Sequence, residues 1–92
     1  LMATIEKTQV DSEIKEDTGS KHELILFNDD VNTFDFVIDA LVEVCGHTLE
    51  QAEQCTVLVH YKGKCVVKTG AKKILLPFMK SLQNLGLTAS IK

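Results

Sequence analysis

The distribution of apolar and polar positions divides the chain into a polar N-terminal segment and a longer patterned region. Residues 1–22 are mostly polar, and their few apolar side chains follow neither a helical nor a strand period. Such a segment buries too little apolar area to offset the entropy lost on ordering. We therefore predict a flexible, disordered N-terminal extension over residues 1–22 and one folded domain over residues 23–92.

The patterned region begins with a short strand and an amphipathic helix. The apolar run at residues 23–27 ends at Asn28-Asp29-Asp30, residue types that favour turns. Apolar positions from Phe34 to Cys45 then recur with helical spacing, and Asn32 or Thr33 precedes them as a candidate N-cap. The sequence thus predicts a strand, a polar loop and a helix that ends at the following glycine.

A second helix, a turn and a second strand follow. Thr48-Leu49-Glu50-Gln51 has the sequence of a capping box, and apolar positions continue at helical spacing to about His60. Tyr61-Lys62-Gly63-Lys64 is typical of a turn, and Cys65-Val66-Val67 predicts a strand that ends at Thr69-Gly70. The two helices are therefore expected to form a hairpin.

A third helix and a last strand complete the pattern. Helical spacing runs from about Ala71 to Leu85 and includes Pro77, which predicts either a kink at the proline or a helix that begins close to it. Residues 87–91 alternate between apolar and polar, as in a strand. The order β-α-α-β-α-β indicates an α+β fold in which a three-stranded antiparallel sheet packs against three helices.

Composition and charge exclude several classes of protein. The chain is 45% hydrophobic but has no apolar run near the length of about 20 residues that a membrane span needs. All ten basic residues are lysines and the net charge is −3, which disfavours nucleic-acid binding. Residues 1–53 hold all 13 acidic side chains and three lysines, whereas residues 54–92 hold seven lysines and no acid, so the halves carry −10 and +7. This asymmetry predicts a bipolar surface that steers charged partners, with a merely solvated surface as the alternative.

Cysteine and histidine usage favours a cytoplasmic protein without a metal or cofactor. The cysteine count is three, an odd number, and no export signal precedes the patterned region, so we expect free thiols in a reducing compartment. The spacing of ten between Cys45, Cys55 and Cys65 matches no zinc motif, and the histidines include no H-x₃-H pair. We expect neither a metal site nor a cofactor.

One group of polar residues indicates binding rather than catalysis. The chain has no phosphate-cradling glycine run and no evident nucleophile beside a base, so we do not expect an enzyme. Asn28-Asp29-Asp30 follows the first strand and His60 ends the second helix, positions from which these side chains can converge. Together they would suit a primary ammonium group held beside apolar neighbours. The alternative interpretation is an ordinary turn and a core histidine.

Several motifs in order make the chain resemble the ClpS family of proteolytic adaptors. They are N-D-D at residues 28–30, F-D-F-V-I-D-A-L from residue 34, E-Q-A-E-Q from residue 50 and V-H-Y-K-G-K-C from residue 59. The resemblance covers about residues 24–92 and is strongest up to residue 65. It implies an adaptor that does no chemistry itself and binds an N-degron, a protein with a free α-amino group and a first residue such as Leu, Phe, Tyr or Trp. The adaptor delivers that substrate to a Clp AAA+ unfoldase and its ClpP-type peptidase.

The resemblance also implies roles for individual residues. Asn28, Asp30 and His60 hydrogen-bond the α-amino group, and Asp29 holds the backbone or the second residue of the peptide. The first side chain enters a hydrophobic pocket formed by Leu26, Asn32, Phe34, Val37, Thr56, Val59 and Leu87. At Phe34 and Thr56 the family usually has methionine, so the preference among Leu, Phe, Tyr and Trp stays open.

Docking is implied to involve the N-terminal domain of the unfoldase and the region around the third helix. The candidate contacts are Lys64, Ala71, Lys73 and Phe78. Lys73 stands where the family usually has a glutamate and Phe78 where a lysine is common, so the charge at this contact is reversed. We therefore expect a more acidic partner surface or docking through another face. We further expect a monomer that binds neither nucleic acid nor a membrane.

Two other functions compete with the adaptor interpretation. The first is a non-catalytic protein-docking domain of similar fold, like the C-terminal ribosomal-stalk domain, whose lysine-rich C-terminal half binds an acidic factor. In that case the Asn-Asp-Asp turn is only structural. The second is an enzyme, which would require turnover of an amine or peptide that depends on Asp30 or His60.

Overall fold

The predicted element order is confirmed. The computed structural model describes residues 21–92 and contains, in chain order, β1 (His22–Phe27), α1 (Phe34–Cys45), α2 (Leu49–Lys62), β2 (Lys64–Gly70), α3 (Lys72–Asn84) and β3 (Thr88–Ile91). Residues 1–20, which make up most of the predicted flexible extension, lie outside the described residues. Within the described part of the chain, no helix is long and apolar enough to cross a membrane.

The sheet is antiparallel and has β1 at its centre, in the order β2-β1-β3. Leu26 pairs with Cys65 of β2 and with Ala89 of β3, and the register with β2 shifts between Leu24 and Ile25, as in a β-bulge. Because β1 is paired on both sides, its C-terminal end is held in a fixed place. The loop that carries Asn28-Asp29-Asp30 begins there.

The three helices and the sheet share one apolar core. Leu24 and Leu26 of β1 are 0% and 1% exposed and belong to a core that includes side chains from every helix. The other members of the core are Val37, Ala40, Leu41, Cys45, Ala52, Cys55, Val59, Val67, Leu75, Leu82, Leu87 and Ala89. Side chains of α1 and α2 dominate this set, so the core holds these two helices in place beside the end of β1.

Local capping sets where α1 and α2 begin. The Thr33 hydroxyl accepts a hydrogen bond from the Phe36 N–H at 3.1 Å, which makes Thr33 rather than Asn32 the N-cap of α1. The predicted capping box of α2 is confirmed: Gln51 N–H donates to the Thr48 hydroxyl at 3.1 Å, and Thr48 N–H donates to the Gln51 side chain at 2.9 Å.

The end of α2 differs from the prediction. Tyr61 and Lys62 continue the helix, and the chain leaves it only at Gly63, which has a φ of 91° and donates its N–H to the Val59 carbonyl at 3.0 Å. Glycine adopts a positive φ without the steric clash of a Cβ atom, so one residue is enough to end the helix. The turn predicted over residues 61–64 is therefore wrong.

Pro77 lies inside α3, so the prediction of a helix that begins close to it is wrong. The proline removes one backbone hydrogen bond from the helix. Leu75 and Leu82, which flank it, are both completely buried in the core. Burial of each leucine contributes about 1.5–3 kcal/mol, which outweighs a single missing bond.

The three thiols are free and differ in their surroundings. Burial raises the pKa of the Cys45 thiol, and the positive charge of Lys68 offsets part of that rise. Burial, together with a hydrogen-bonding contact to the Cys65 thiol, raises the pKa of Cys55 strongly. Cys65, on the edge strand β2, is only half-buried. Because the thiolate is the reactive form, Cys45 and Cys55 are protected twice, by burial and by protonation.

We predict that iodoacetamide at about pH 8 alkylates Cys65 before Cys45 or Cys55. Peptide mass spectrometry of the folded protein after timed quenching measures the order. The same reaction in concentrated urea is the control, where the three rates are expected to converge. Alkylation of Cys55 in the folded protein at its urea rate would contradict the prediction.

Candidate functional site

A cavity of about 290 Å³ lies where the loop after β1 meets α1 and the C-terminal half of α2. It is lined by Asn28, Asp29, Asp30, Asn32, Thr33, Phe34, Val37, Thr56, Val59 and His60. Two larger depressions, of about 550 and 430 Å³, lie at the start of β1 and beside β2. Neither contains carboxylate, amide and imidazole groups around an apolar floor, so the smaller cavity is the candidate site.

The floor of the cavity is apolar. Val37 of α1 and Val59 of α2 are 7% and 5% exposed, and Thr56 between them is 3% exposed. The Thr56 hydroxyl donates to the Ala52 carbonyl of its own helix at 2.7 Å. Since that bond uses the only donor of the side chain, Thr56 presents no unpaired donor to a ligand.

The rim of the cavity carries polar groups with unused hydrogen-bonding capacity. Among residues 21–92, the side chains of Asn28, Asp30 and His60 make no hydrogen bond. Asp30 offers a carboxylate, Asn28 an amide oxygen and His60 a ring nitrogen, which are three acceptor types. A primary ammonium group has three N–H donors, and this arrangement can satisfy all of them.

A single backbone hydrogen bond explains why residues thirty positions apart converge. Phe27 pairs with Lys64 at the end of β1, and the ladder continues one step further because Asn28 N–H donates to the Gly63 carbonyl at 2.9 Å. Gly63 is the residue that ends α2, and His60 lies in the last turn of that helix. The start of the polar loop is thereby tied to the end of α2.

Asp29 organises the loop itself. Its Oδ1 accepts from the backbone N–H groups of Val31 at 2.8 Å and Asn32 at 2.7 Å, and its Oδ2 accepts from the Asn32 side-chain amide at 2.9 Å. The same amide donates to the Gly86 carbonyl at 3.0 Å, which joins the loop to the connection between α3 and β3. Asp29 and Asn32 thus hold the loop in shape, and the predicted contact of Asp29 with the second residue of a peptide stays a prediction.

The hydrogen bonds also determine the pKa of Asp29. Partial burial by itself raises the pKa of this carboxyl, but the bonds from the Asn32 backbone, the Asn32 side chain and the Val31 backbone outweigh it. The net result is a pKa below the ordinary value of 3.8. Asp29 is therefore ionised at neutral pH, as a triple acceptor should be.

The His60 ring contacts two other aromatic rings, of which Phe34 lines the cavity and Tyr61 does not. The rings of Phe34 and His60 have their centroids 5.4 Å apart at an interplanar angle of 72°. The rings of His60 and Tyr61 are 4.8 Å apart at 85°. Both contacts have the edge-to-face geometry that aromatic pairs favour, with His60 in the middle.

Most of the residues predicted for the site line the cavity, but two do not. Leu26 and Leu87 are 1% and 4% exposed and belong to the core. Leu26 lies in the central strand and Leu87 just before β3, and neither is among the residues that line the cavity. Thr33, the N-cap of α1, lines the cavity and was not predicted there.

The four predicted docking residues lie away from the cavity. Lys64 is exposed at the start of β2, Ala71 is the N-cap of α3, and Lys73 is exposed in its first turn. Phe78 is half-buried against the core, and the Lys68 ammonium lies 4.8 Å from its ring centroid. No group of three or more His, Cys, Asp or Glu side chains within residues 21–92 is placed to share a metal ion.

Comparison with known proteins finds proteins similar to this chain. Residues 17–90 match the family model described as "ATP-dependent Clp protease adaptor protein ClpS". The Campylobacter jejuni (strain RM1221) ATP-dependent Clp protease adapter protein ClpS is 32% identical over 78 residues, 85% of this chain and 81% of the relative. The Sodalis glossinidius protein of the same name is 43% identical over 47 residues, 51% of this chain and 44% of the relative.

A solved structure shares the fold. Agrobacterium tumefaciens ClpS2 bound to L-phenylalaninamide has a TM-score of 0.75 and is 22% identical in sequence. The match covers 78% of this chain and 94% of that one.

We predict that Asp29→Asn destabilises the fold by about 1–2 kcal/mol at neutral pH, because the amide loses the charge and turns one acceptor into a donor that faces another donor. The lowered pKa of Asp29 determines how its contribution to stability changes with pH. The stabilisation by Asp29 is complete above the ordinary carboxyl pKa of 3.8 and is lost as the pH falls through the lower folded-state value. The difference between the two proteins should therefore shrink below that pH.

Urea unfolding of both proteins at about pH 7, pH 5 and pH 3 measures this difference. Asp39→Asn, which alters an exposed carboxylate on α1, is the matched control and should change stability by less than about 0.5 kcal/mol. A destabilisation by Asp29→Asn that is as large at pH 3 as at pH 7 would contradict the assignment.

Proposed function

This chain belongs to the ClpS family of ATP-dependent Clp protease adaptors, and from that membership we propose that it binds N-degrons and delivers them to a Clp AAA+ unfoldase with its ClpP-type peptidase. One observation carries the proposal: Asn28, Asp30 and His60 leave hydrogen-bonding groups unused at the rim of a cavity with an apolar floor. This role needs no reaction at the site, so the protein is an adaptor and not an enzyme. It acts as a monomer in the cytoplasm, beside its protease.

The rim selects a free N-terminus. An α-amino group has a pKa of about 8 and is mostly an ammonium ion at neutral pH. Asp30 accepts a hydrogen bond from it as a carboxylate, and Asn28 and His60 accept hydrogen bonds from its remaining N–H groups. Each hydrogen bond that involves a charged group contributes about 1.5–3 kcal/mol. An acetylated N-terminus loses both the charge and two donors, so it should be rejected.

The floor selects a bulky apolar first residue. Val37, Thr56 and Val59 surround a space in which a Leu or Phe side chain is removed from water, a gain of about 1.5–3 kcal/mol. The ligand of the Agrobacterium tumefaciens structure, L-phenylalaninamide, combines a free α-amino group with a benzyl side chain, the same two chemical features. At the upper end of these ranges the two parts total about 12 kcal/mol, which leaves about 8 kcal/mol, equivalent to micromolar binding, after an association cost of about 4 kcal/mol.

Lysines outside the cavity are the candidate contacts for the unfoldase. Lys64 and Lys68 project from β2, and Lys72 and Lys73 lie at the start of α3. None of them lines the cavity, so an N-terminal domain of the unfoldase can dock there while the pocket holds a degron. Because the family usually has a glutamate at the position of Lys73, the partner surface is expected to be more acidic than in typical members.

The degron proposal predicts that fluorescent peptides beginning with Leu, Phe, Tyr or Trp bind at micromolar or lower concentration. Their acetylated copies and peptides beginning with Ala or Val should bind at least about 100-fold more weakly. Fluorescence anisotropy titration measures both series, and the order among the four residues reports the effect of Phe34 and Thr56.

The same assay tests the rim. Asp30→Ala should weaken binding of the free-amine peptides by about tenfold or more, while Asp39→Ala, an equivalent change on the exposed side of α1, should have no effect. Equal binding of the free and acetylated peptides by the folded protein would overturn the degron proposal and favour the docking-domain alternative.

The docking proposal predicts that Lys73→Glu weakens binding to the N-terminal domain of the cognate unfoldase by about tenfold, in a salt-dependent manner. Lys80→Glu, a change of equal charge further along α3, is the control and should have a smaller effect. Isothermal titration calorimetry measures the affinity, and degron binding should be the same in both variants. Unchanged affinity in Lys73→Glu would place the docking surface elsewhere.

A further inference from the structure

The orientation of His60 has no hydrogen bond to explain it. Within residues 21–92, no group donates to or accepts from its ring, and the residue is exposed at the end of α2. An exposed imidazole without partners would rotate among several rotamers. A ring that accepts from an ammonium group has to present one nitrogen in a defined direction, so something else must fix it.

Two aromatic contacts restrict the orientation of the His60 ring. The Phe34 ring contacts the His60 ring at 5.4 Å from the cavity side, and the Tyr61 ring contacts it at 4.8 Å. Both neighbours stand nearly perpendicular to the imidazole, at 72° and 85°. A ring held edge-to-face between two others cannot turn about its Cβ–Cγ bond without losing at least one contact.

The Tyr61 contact is not a by-product of helix geometry. Consecutive residues on an α-helix project about 100° apart and do not normally face each other. A centroid separation of 4.8 Å therefore requires both side chains to lean together. Tyr61 is 75% exposed, so burial in the core does not explain its position.

Tyr61 also lies outside the cavity, whereas Phe34 lines it. Phe34 thus combines two roles, as a wall of the pocket and as a neighbour of His60, and its substitution would change both. Tyr61 is a neighbour of His60 but not a wall of the pocket. Its substitution therefore tests the orientation of the imidazole separately from the shape of the pocket.

We propose that Tyr61 is a positioning residue for amine recognition, which acts by holding the His60 imidazole against rotation without touching the ligand. This inference rests on the proposed degron-binding function and deepens it. The aromatic ring, and not the phenol hydroxyl, carries the effect, since the contact is between ring faces and edges.

The test compares Tyr61→Leu with Tyr61→Phe. Tyr61→Leu removes the ring and should weaken binding of free-amine peptides by about three- to tenfold, whereas Tyr61→Phe keeps the ring and should stay within about twofold of the unchanged protein. Leu49→Ala, which alters another exposed apolar residue at the opposite end of α2, is the control and should have no effect on affinity. Urea unfolding of each variant establishes that the fold is retained.

A double-mutant cycle separates positioning from direct contact. In a His60→Ala background, Tyr61→Leu should no longer change peptide affinity, because the ring that it orients is gone. The NMR signals of the His60 ring protons should move toward free-histidine positions in Tyr61→Leu and remain near their original positions in Tyr61→Phe.

Three results would overturn the inference. Unchanged affinity and unchanged His60 signals in Tyr61→Leu would show that the ring has no part in orientation. An undiminished loss in the His60→Ala background would assign Tyr61 a direct contact with the peptide. If the unaltered protein binds no free-amine peptide, the proposed function fails as well, and that outcome is distinguishable because it appears before any variant is made.

Discussion

The site depends on one backbone hydrogen bond, from Asn28 N–H to the Gly63 carbonyl, which carries the β1–β2 ladder one step past the end of β1. The core fixes where β1 and α2 lie, but this bond fixes where the loop between β1 and α1 starts relative to the last turn of α2. Because it joins two main-chain groups, it needs no particular side chain at position 28, whereas position 63 needs the positive φ that glycine allows. The convergence of a polar loop and a distant histidine is thus a property of strand pairing.

Three consecutive residues of the loop, Asn28, Asp29 and Asp30, differ in whether their side chains form hydrogen bonds with other described residues. The carboxylate of Asp29 accepts three hydrogen bonds from Val31 and Asn32, and Asn32 continues the network to the Gly86 carbonyl. The side chains on either side of Asp29 make no hydrogen bonds within the described region. Asp29 accepts the hydrogen bonds that hold the loop in shape. The side chains of Asn28 and Asp30 are therefore not needed for that purpose and stay available to a ligand.

The sequence predicted the element order and most helix ends because their signals are local: caps at Thr33 and Thr48, glycines at the ends and apolar periodicity. Two other predictions concern features that the local sequence does not reveal. Leu26 and Leu87 were assigned to the pocket, but a sequence does not tell whether a buried apolar side chain borders a cavity or other side chains. Assigning Tyr61 to a turn ended α2 too early, and this hid its proximity to His60 on the same helix.

The internally bonded hydroxyl of Thr56 makes the depth of the cavity floor adjustable by substitution. Since its donor is satisfied by the Ala52 carbonyl, the residue behaves toward the cavity as a small apolar spacer. Exchange for a larger apolar side chain would alter the depth of the floor without stranding a polar group or disturbing the loop that forms the rim. If the cavity binds N-degrons as proposed, the size of the accepted side chain and the recognition of the amine are set by different residues and can be altered separately.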